Sequence, residues 1–425
     1  MTCKDTCNTR RAWLTGMFAA GIAAADPAAA VRVALASTPL PAPDTGGRVE
    51  IMAVGKAAGA MARAAQEALA MQGFAPSHVL VVTGAGALPG PAGAELHIAG
   101  HPVPDQAGAA AAAAVLARAA GLGAGDRLLL LVSGGGSAML PAPAAGLTLD
   151  DKAAVNRLLL GSGADIVTVN LIRQQLSRIK GGGLARAAAP AGVTALILSD
   201  VIGDDLRAVA SGPTLPAIGS RAEAAQRLRA LGLWPALPEA VRRHLSAPAG
   251  TVAPVPDADN RLIGSNAQSV AAIAAAARAE GVAVHVAPAP LVGDVAEAAA
   301  RILAARAPGL HLWGGETTVR LAGDGLGGRN QELALRVALG AAGQGGWPDG
   351  WVFLSGGTDG RDGPTDAAGG LVDAASPSRM RAAGVDPEFA LARNDSHTAL
   401  AASGDLLMTG PTGTNVADLQ LLWLP

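Results

Sequence analysis

Four short apolar runs, RVEIMAV (48–54), HVLVVT (78–83), DRLLLLV (126–132) and VTALILS (193–199), each stop at a polar or glycine-rich loop: GK, GAGALPG, SGGGSA and SDVIGDD. Alanine-rich stretches of helical character lie between them, KAAGAMARAAQEALA after the first and a segment expected to start at Asp105 after the second. Strand-length runs alternating with helices are the signature of βα units around a mostly parallel sheet. In open sheets of that kind ligands bind outside the carboxyl ends of the strands, so these loops are expected to gather on one side.

The third loop is the most demanding. SGGGSAML (133–140) puts consecutive glycines at the end of a buried strand, where they cost backbone entropy unless something needs a chain free of Cβ atoms. An anion approaching peptide N–H groups at a strand-to-helix turn is such a need. With 56 glycines in 425 residues, one cluster proves nothing alone, and several must converge.

Past about residue 245 the pattern changes. A Pro-rich joint (APAGTVAPVPDAD) leads into RLIGSN and further βα units, then HLWGGETTVRL, the loop GDGLGG, the helix RNQELALRVALGAA and the loop LSGGTDGRDGPTDAAGG. This reads as a second, smaller α/β unit, with the border between Ser246 and Asp259. A chain of this length is long for a single core, which favours two domains.

Composition removes several function classes. The net charge is −2, no basic block carries interleaved aromatics, Tyr is absent and Phe scarce, so a nucleic-acid surface is not expected. Cys3 and Cys7 are the only cysteines; without a second pair to complete a zinc site they read as reduced thiols of a cytoplasmic protein. TRRAWLTGMFAAGIAAADP has the arginine pair, apolar stretch and small residues of an export signal. It also reads as an alanine-rich helix ended by Asp26, with Pro27 opening the next helix at its first position, and that reading is preferred. AGAAAAAAVLARAAG is interrupted by Arg118 and reads as a buried helix, not a membrane span.

As nucleotide sites the glycine loops fall short. GAGALPG (84–90) misses GxGxxG by one residue, and Pro89 and Pro91 prevent a helix from starting where a pyrophosphate would need it. No GxxxxGK[ST] occurs. Lys56, in AVGKAAG, instead stands at the first turn of a helix just past a strand, where its charge adds to the positive helix end. HPVPD (101–105) is a rigid loop in which His101 reads as structural and Asp105 as an N-cap. In VNLIRQQLSRIKGGGLARAA, Arg173, Ser177 and Lys180 are spaced to share one helix face, and Gly181 to Gly183 form a C-cap and a second anion-binding turn. Ser199 and Asp200 end a strand, where a carboxylate suits magnesium; Asp204 and Asp205 read as helix caps. Asp359, Asp362 and Asp366 are more acids than a plain turn requires, without EF-hand spacing.

Taken together, AVGKAAGAMA, HPVPD, SGGGSA, VNLIRQQLSRIKGGGLA, LSDVIGDDLRAVASGPT, GGRNQELAL, SGGTDGRDGPTDAAGG, NDSHTAL and TGPTGTNVADL resemble the type II glycerate kinases, the glycerate 2-kinase family with a C-terminal MOFRL domain. The resemblance runs from about residue 13 to the end of the sequence. It implies an α/β fold of two domains: residues 1–250 as a larger Rossmann-like layered sheet with helices on both faces, and 258–425 as the smaller MOFRL-type domain. It also implies an active site in the cleft between them; the joint at 247–256 is the expected hinge for closure, because its prolines limit the paths that the glycines and alanines around them permit. The implied reaction is ATP-dependent, magnesium-assisted phosphorylation of D-glycerate to 2-phosphoglycerate. Some members are labelled hydroxypyruvate reductases, which the missing dinucleotide fingerprint does not support; a non-catalytic hydroxy-acid-binding protein is the alternative outside enzymes.

Carried onto this sequence, the resemblance assigns Lys56 and Arg329 to phosphate; Asp200, at its strand end, is the candidate for metal binding or for orienting the attacking hydroxyl. The expected binding residues are Ser133, Gly134, Gly135, Gly136 and Ser137 in the first loop; Asn170, Arg173, Lys180, Gly181, Gly182 and Ser199 follow. Glu316, Asn330, Thr358 and Asp359 complete the set from the second domain. Asp200, Asp359 and Asp362 are the expected magnesium ligands. His397 stands where many relatives are expected to carry Tyr, without consequence for the chemistry. Glycerate and ATP are the expected partners of a cytoplasmic monomer or homodimer, with no nucleic acid or membrane involved.

Overall fold

The computed structural model describes residues 3–88, 90–248, 253–343 and 346–425. Pro89, residues 249–252 of the Pro-rich joint and the side chains of Cys3 and Cys7 lie outside the described residues. By packing, the chain divides into Pro27–Ile263 and a second unit made of Met1–Asp26 with Gly264–Pro425.

Within residues 27–263 the strands are β1 (Val49–Val54), β2 (His78–Thr83), β3 (Glu95–Ile98), β4 (Arg127–Val132), β5 (Gly192–Leu198) and β6 (Asp259–Gly264), in the order β3-β2-β1-β4-β5-β6. β1 pairs in parallel with β2 and β4, and β2 with β3 and β4 with β5 likewise. This is the doubly wound arrangement, and the expected Rossmann-like architecture is present. Because side chains alternate across a strand, Met52, Val54, Leu128, Leu130 and Val132 share one core with Ala111, Ala112 and Val115 of the helix Gln106–Ala120. The helix Ala58–Met71 packs on β1, β2 and β4, where the alternate residues Ile51, Ala53, Leu129 and Leu131 are equally buried. Alanine on these helices brings their backbones close to the sheet, and Asp105 caps its helix by accepting from the Gly108 N–H at 2.8 Å.

The other unit has a mixed sheet of β7 (Val284–Val286), β8 (Leu291–Asp294), β9 (Gly309–Thr318), β10 (Val352–Gly357), β11 (Gly369–Asp373), β12 (Leu406–Leu407) and β13 (Asp418–Leu424). Its order is β12-β11-β10-β13-β9-β7, with β8 also on β9. β13 runs antiparallel between β10 and β9. The helix Asn266–Ala279 covers one face together with an element the sequence division had assigned to the first domain: the helix Cys3–Ala24.

The division at 1–250 and 258–425 therefore differs from the packing, and the reason is physical. Leu14, Met17 and Phe18 are buried with Ile273, Leu354, Leu419 and Leu421. Arg11 bridges the buried carboxylates of Asp373 (2.6 Å) and Asp405 (2.8 Å), and the Thr414 hydroxyl donates to the Ala25 carbonyl at 2.6 Å. The apolar face that suggested an export signal is a core face of this sheet. Pro27 does open the following helix, Pro27–Ser37. Among the described residues no single helix is long and apolar enough to cross a membrane.

Phe18 is 1% exposed, and a Cβ on Gly356 would lie 2.8 Å from its ring. Phe18→Ala is expected to cost about 3–5 kcal/mol. The check is urea unfolding followed through Trp423, which packs edge-on against Trp13 of the same helix.

Candidate active site

The chain builds β2 and β3 on one side of β1, then crosses to β4 and β5 on the other, so the carboxyl ends of β1 and β4 flank the switch point. The two ends approach so closely that a Cβ on Gly55 would lie 2.3 Å from Ser133 Oγ, and Gly55 has φ +118°. The Lys56 N–H donates to the Gly134 carbonyl at 2.9 Å. Ser133 Oγ accepts from the Ala57 N–H (3.1 Å) and donates to the Val54 carbonyl (3.3 Å). Ser133, expected to touch ligand, is 1% exposed and ties the two strand ends together instead. Lys56 itself is exposed between buried neighbours.

The glycines beyond Ser133 serve the same crowding. A Cβ on Gly134 would fall 2.3 Å from Asp200 Oδ2, and one on Gly135 3.0 Å from the His101 ring. Their absence lets Asp200 and His101 close on the turn. Burial raises the Asp200 pKa, while the Lys56 charge and a hydrogen bond from the Gly135 peptide pull it back. His101 is lowered by burial and by Lys56, which favours the neutral ring.

Next to this turn lies a cavity of about 330 Å³ whose wall includes His101, Gly135, Ser137 and Asp200, together with Lys152, Asn156, Arg173 and Lys180. Lys152 and Asn156 come from the helix Leu149–Gly161, opened by a capping box between Thr148 and Asp151. Neither is among the residues expected from the sequence, although their spacing of four on one helix face is a usable signal. Arg173 comes from the helix Ile166–Gln175, capped by Asp165, and donates from Nε to Asn156 Oδ1 at 3.0 Å. The Lys180 ammonium donates to the Ser137 carbonyl at 2.8 Å and to its hydroxyl. His101, read as a loop residue, belongs to this wall.

Two expectations about this region are corrected. Arg173, Ser177 and Lys180 do not share one helix face, because the helix stops at Gln175. The Ala144 N–H takes the Leu176 carbonyl and the Arg178 N–H takes that of Ala142, so the chain leaves the helix to pair with 142–144. Lys180 reaches the cavity from the turn that follows. Nor is that turn an anion cradle: the N–H groups of Gly181 and Gly182 donate to the carbonyls of Ser211 (3.0 Å) and Gly212 (2.8 Å). Asn170 is buried and accepts from the Ser211 hydroxyl at 2.9 Å, which in turn lies 3.0 Å from that of Ser137. The Ser199 hydroxyl closes a local turn with Val201.

In the other unit Arg329 opens the helix Arg329–Ala341. Its guanidinium is held two-pronged by Asp418, Nε at 2.6 Å and a terminal nitrogen at 2.9 Å, with Glu316 at 3.2 Å. Burial opposes its charge, but Asp418, Glu316 and Asp362 together raise its pKa. Asp362 receives the Asn330 and Gln331 N–H groups at 3.1 and 2.8 Å, so both of its oxygens cap this helix. Asn330 accepts from Ser355 (2.6 Å), and the Thr358 hydroxyl donates to the Ala417 carbonyl (2.7 Å). Asp359 accepts from the Arg361 N–H at 3.0 Å. Of the expected magnesium ligands, Asp200 and the pair Asp359 and Asp362 belong to different units. Among the described residues no three His, Cys, Asp or Glu side chains group as ligands of one metal ion.

Residues 13–246 match the domain of unknown function DUF4147 and residues 309–418 match the MOFRL family. A D-glycerate 2-kinase of Thermotoga maritima is 40% identical over 386 residues, 88% of this chain and 89% of that one. The chain belongs to this glycerate 2-kinase family. A glycerate kinase crystal structure from Thermotoga maritima superposes with a TM-score of 0.87 at 36% identity, covering 98% of this chain and 100% of the other. The family also includes a relative from Agrobacterium vitis named putative hydroxypyruvate reductase, 40% identical over 449 residues, 99% of this chain and 96% of that one.

The capping carboxylate gives a pH signature. Burial, outweighing its peptide donors, pushes the Asp362 pKa from 3.8 up to about 6. The folded state therefore holds this proton more tightly than the unfolded chain does. The stability it contributes is full below about pH 4 and is lost as pH rises through about 6. The urea midpoint of Asp362→Asn should fall less steeply between pH 4 and 6 than that of the parent.

Proposed function

We propose that the protein transfers the γ-phosphoryl group of ATP to the 2-hydroxyl of D-glycerate, releasing ADP and 2-phosphoglycerate. The observation that carries this reading is the cationic cavity beside Asp200 and the glycine turn, set at the switch point of a chain related to glycerate kinases over nearly its full length. A bond forms between the hydroxyl oxygen and the γ-phosphorus while the bond from that phosphorus to the bridging oxygen breaks, and the hydroxyl proton leaves. Such transfers need in-line positioning and positive charge around the moving group more than covalent help.

Lys56 and Arg329 are the groups assigned to that charge. The Asp418 fork fixes the plane of Arg329 and leaves it cationic at any working pH. Asp200 orients the attacking hydroxyl or holds magnesium. Magnesium commonly takes one or two carboxylates with phosphate oxygens, and Asp200 supplies one such carboxylate, whereas Asp362 is engaged by its helix. Bound there, the ion would neutralise charge on the phosphate oxygens. ATP as phosphoryl donor, a cytoplasmic setting and a monomer or homodimer complete the reading.

The hydroxypyruvate reductase name of the Agrobacterium vitis relative defines the contrasting outcome. Purified protein should release ADP from MgATP when glycerate is added, and should not oxidise NADH with hydroxypyruvate; the reverse result would replace this proposal. Excess chelator should abolish turnover and magnesium restore it. Lys56→Ala and Arg329→Ala should each lower kcat by at least about a hundredfold, since each removes charge needed chiefly in the transition state. Unchanged circular dichroism would separate that loss from unfolding.

A further inference from the structure

The cavity wall holds three cations, Lys152, Arg173 and Lys180, and their polar partners are all neutral. Lys152 donates to the Leu176 carbonyl at 3.3 Å, Arg173 to the Asn156 amide oxygen, and Lys180 to the carbonyl and hydroxyl of Ser137. Among the described residues no carboxylate forms an ion pair with any of them, whereas Arg329, Arg379 and Arg11 of the other unit are each paired with acids. Lys180 is 4% exposed, so water does little to screen it. Burial and mutual repulsion lower the pKa of both lysines, Lys152 to about 8.

Asp200 stands on the same wall but forms no ion pair with any of the three, and like charges gathered in a half-dry site without such pairing are held at a cost that an anionic ligand removes. The donors are in excess as well. An ammonium carries three N–H groups; the protein takes one from Lys152 and two from Lys180. At about 330 Å³ the cavity is at the small end of ligand sites. It suits a three-carbon acid better than a nucleotide triphosphate. Glycerate brings one negative charge, but its 2-phosphorylated form brings a carboxylate and a doubly ionisable phosphate, so it offers the three basic groups more negative charge to pair with.

We propose that this cavity is the acid subsite, that Lys152 with Arg173 and Lys180 makes it selective for an acid carrying a second anionic group, and that it therefore holds 2-phosphoglycerate more tightly than glycerate. The inference rests on the kinase reading and extends it. It makes Lys152 a specificity-determining residue and the reaction product an inhibitor that competes with the acid, not with ATP.

The test is calorimetric titration of the full-length protein, without nucleotide, with 2-phosphoglycerate and separately with glycerate. The phosphorylated acid should bind at least about tenfold more tightly. Lys152→Met should weaken it by about tenfold or more while changing glycerate affinity much less, and Lys152→Arg should restore the preference, as expected for a charge pair facing the ligand. In steady-state assays 2-phosphoglycerate should raise the apparent KM for glycerate. Equal affinities for the two acids, a preference that survives Lys152→Met, or inhibition competitive with ATP alone would overturn the proposal. ADP release with glycerate decides the kinase reading separately: turnover with no preference for the phosphorylated acid defeats only this inference, and the preference without turnover defeats only the kinase reading.

Discussion

The nearness of two strand ends organises the larger unit. β1 and β4 finish side by side, and the backbone of one hydrogen-bonds the backbone of the other through Lys56 and Gly134. No side chain fits between them at Gly55. Once that approach is fixed, Lys56 emerges in the turn just before its helix and not in the expected first helical turn, the glycine turn leaves β4 without Cβ atoms, and Asp200 and His101 fill the space those atoms would have taken. The glycines thus cost chain entropy in order to bring an acid, an imidazole and an ammonium to one strand edge.

That edge was legible in the sequence because its signals are local. Apolar runs ending in glycine mark the strands, and Asp105 preceding a helix marks its own cap. The Rossmann-like class and the MOFRL half followed from motifs spread along the chain, whereas the order of the strands is a finding of the structure. What escaped was non-local. Nothing in VNLIRQQLSRIK shows that its helix ends at Gln175, because the competing partners are the carbonyl and N–H groups of 142–144. Gly181 and Gly182 look like Gly134 and Gly135 in a sequence, yet their peptides are already bonded to 211 and 212. Lys152 and Asn156 sit in an ordinary amphipathic helix and gain their meaning only from the cavity it lines.

Two clusters of charge in the chain are built differently. In the smaller unit buried acids meet arginines: Asp373 and Asp405 with Arg11 and Arg379, Asp418 with Arg329. Removing one partner of such a set strands the other without solvent, so these networks hold side chains in fixed positions. In the larger unit the cavity lysines hydrogen-bond only to neutral carbonyl and hydroxyl groups. One arrangement is complete within the protein and the other is complete only when an anion arrives.

The placement of the helix Cys3–Ala24 bears on how the chain is made. This helix belongs to a sheet whose strand β13, flanked on both sides, is formed by residues 418–424. Residues 27–263 are continuous and lie between the two parts of the other unit, so on a ribosome they can pack while that unit is still without its central strand. Until β13 is synthesised, the core that Leu14 and Phe18 enter lacks Leu419 and Leu421 and stays incomplete. The helix Cys3–Ala24 is thus made well before the strand that completes its core, and its apolar face stays without its full packing until residues 418–424 have been added.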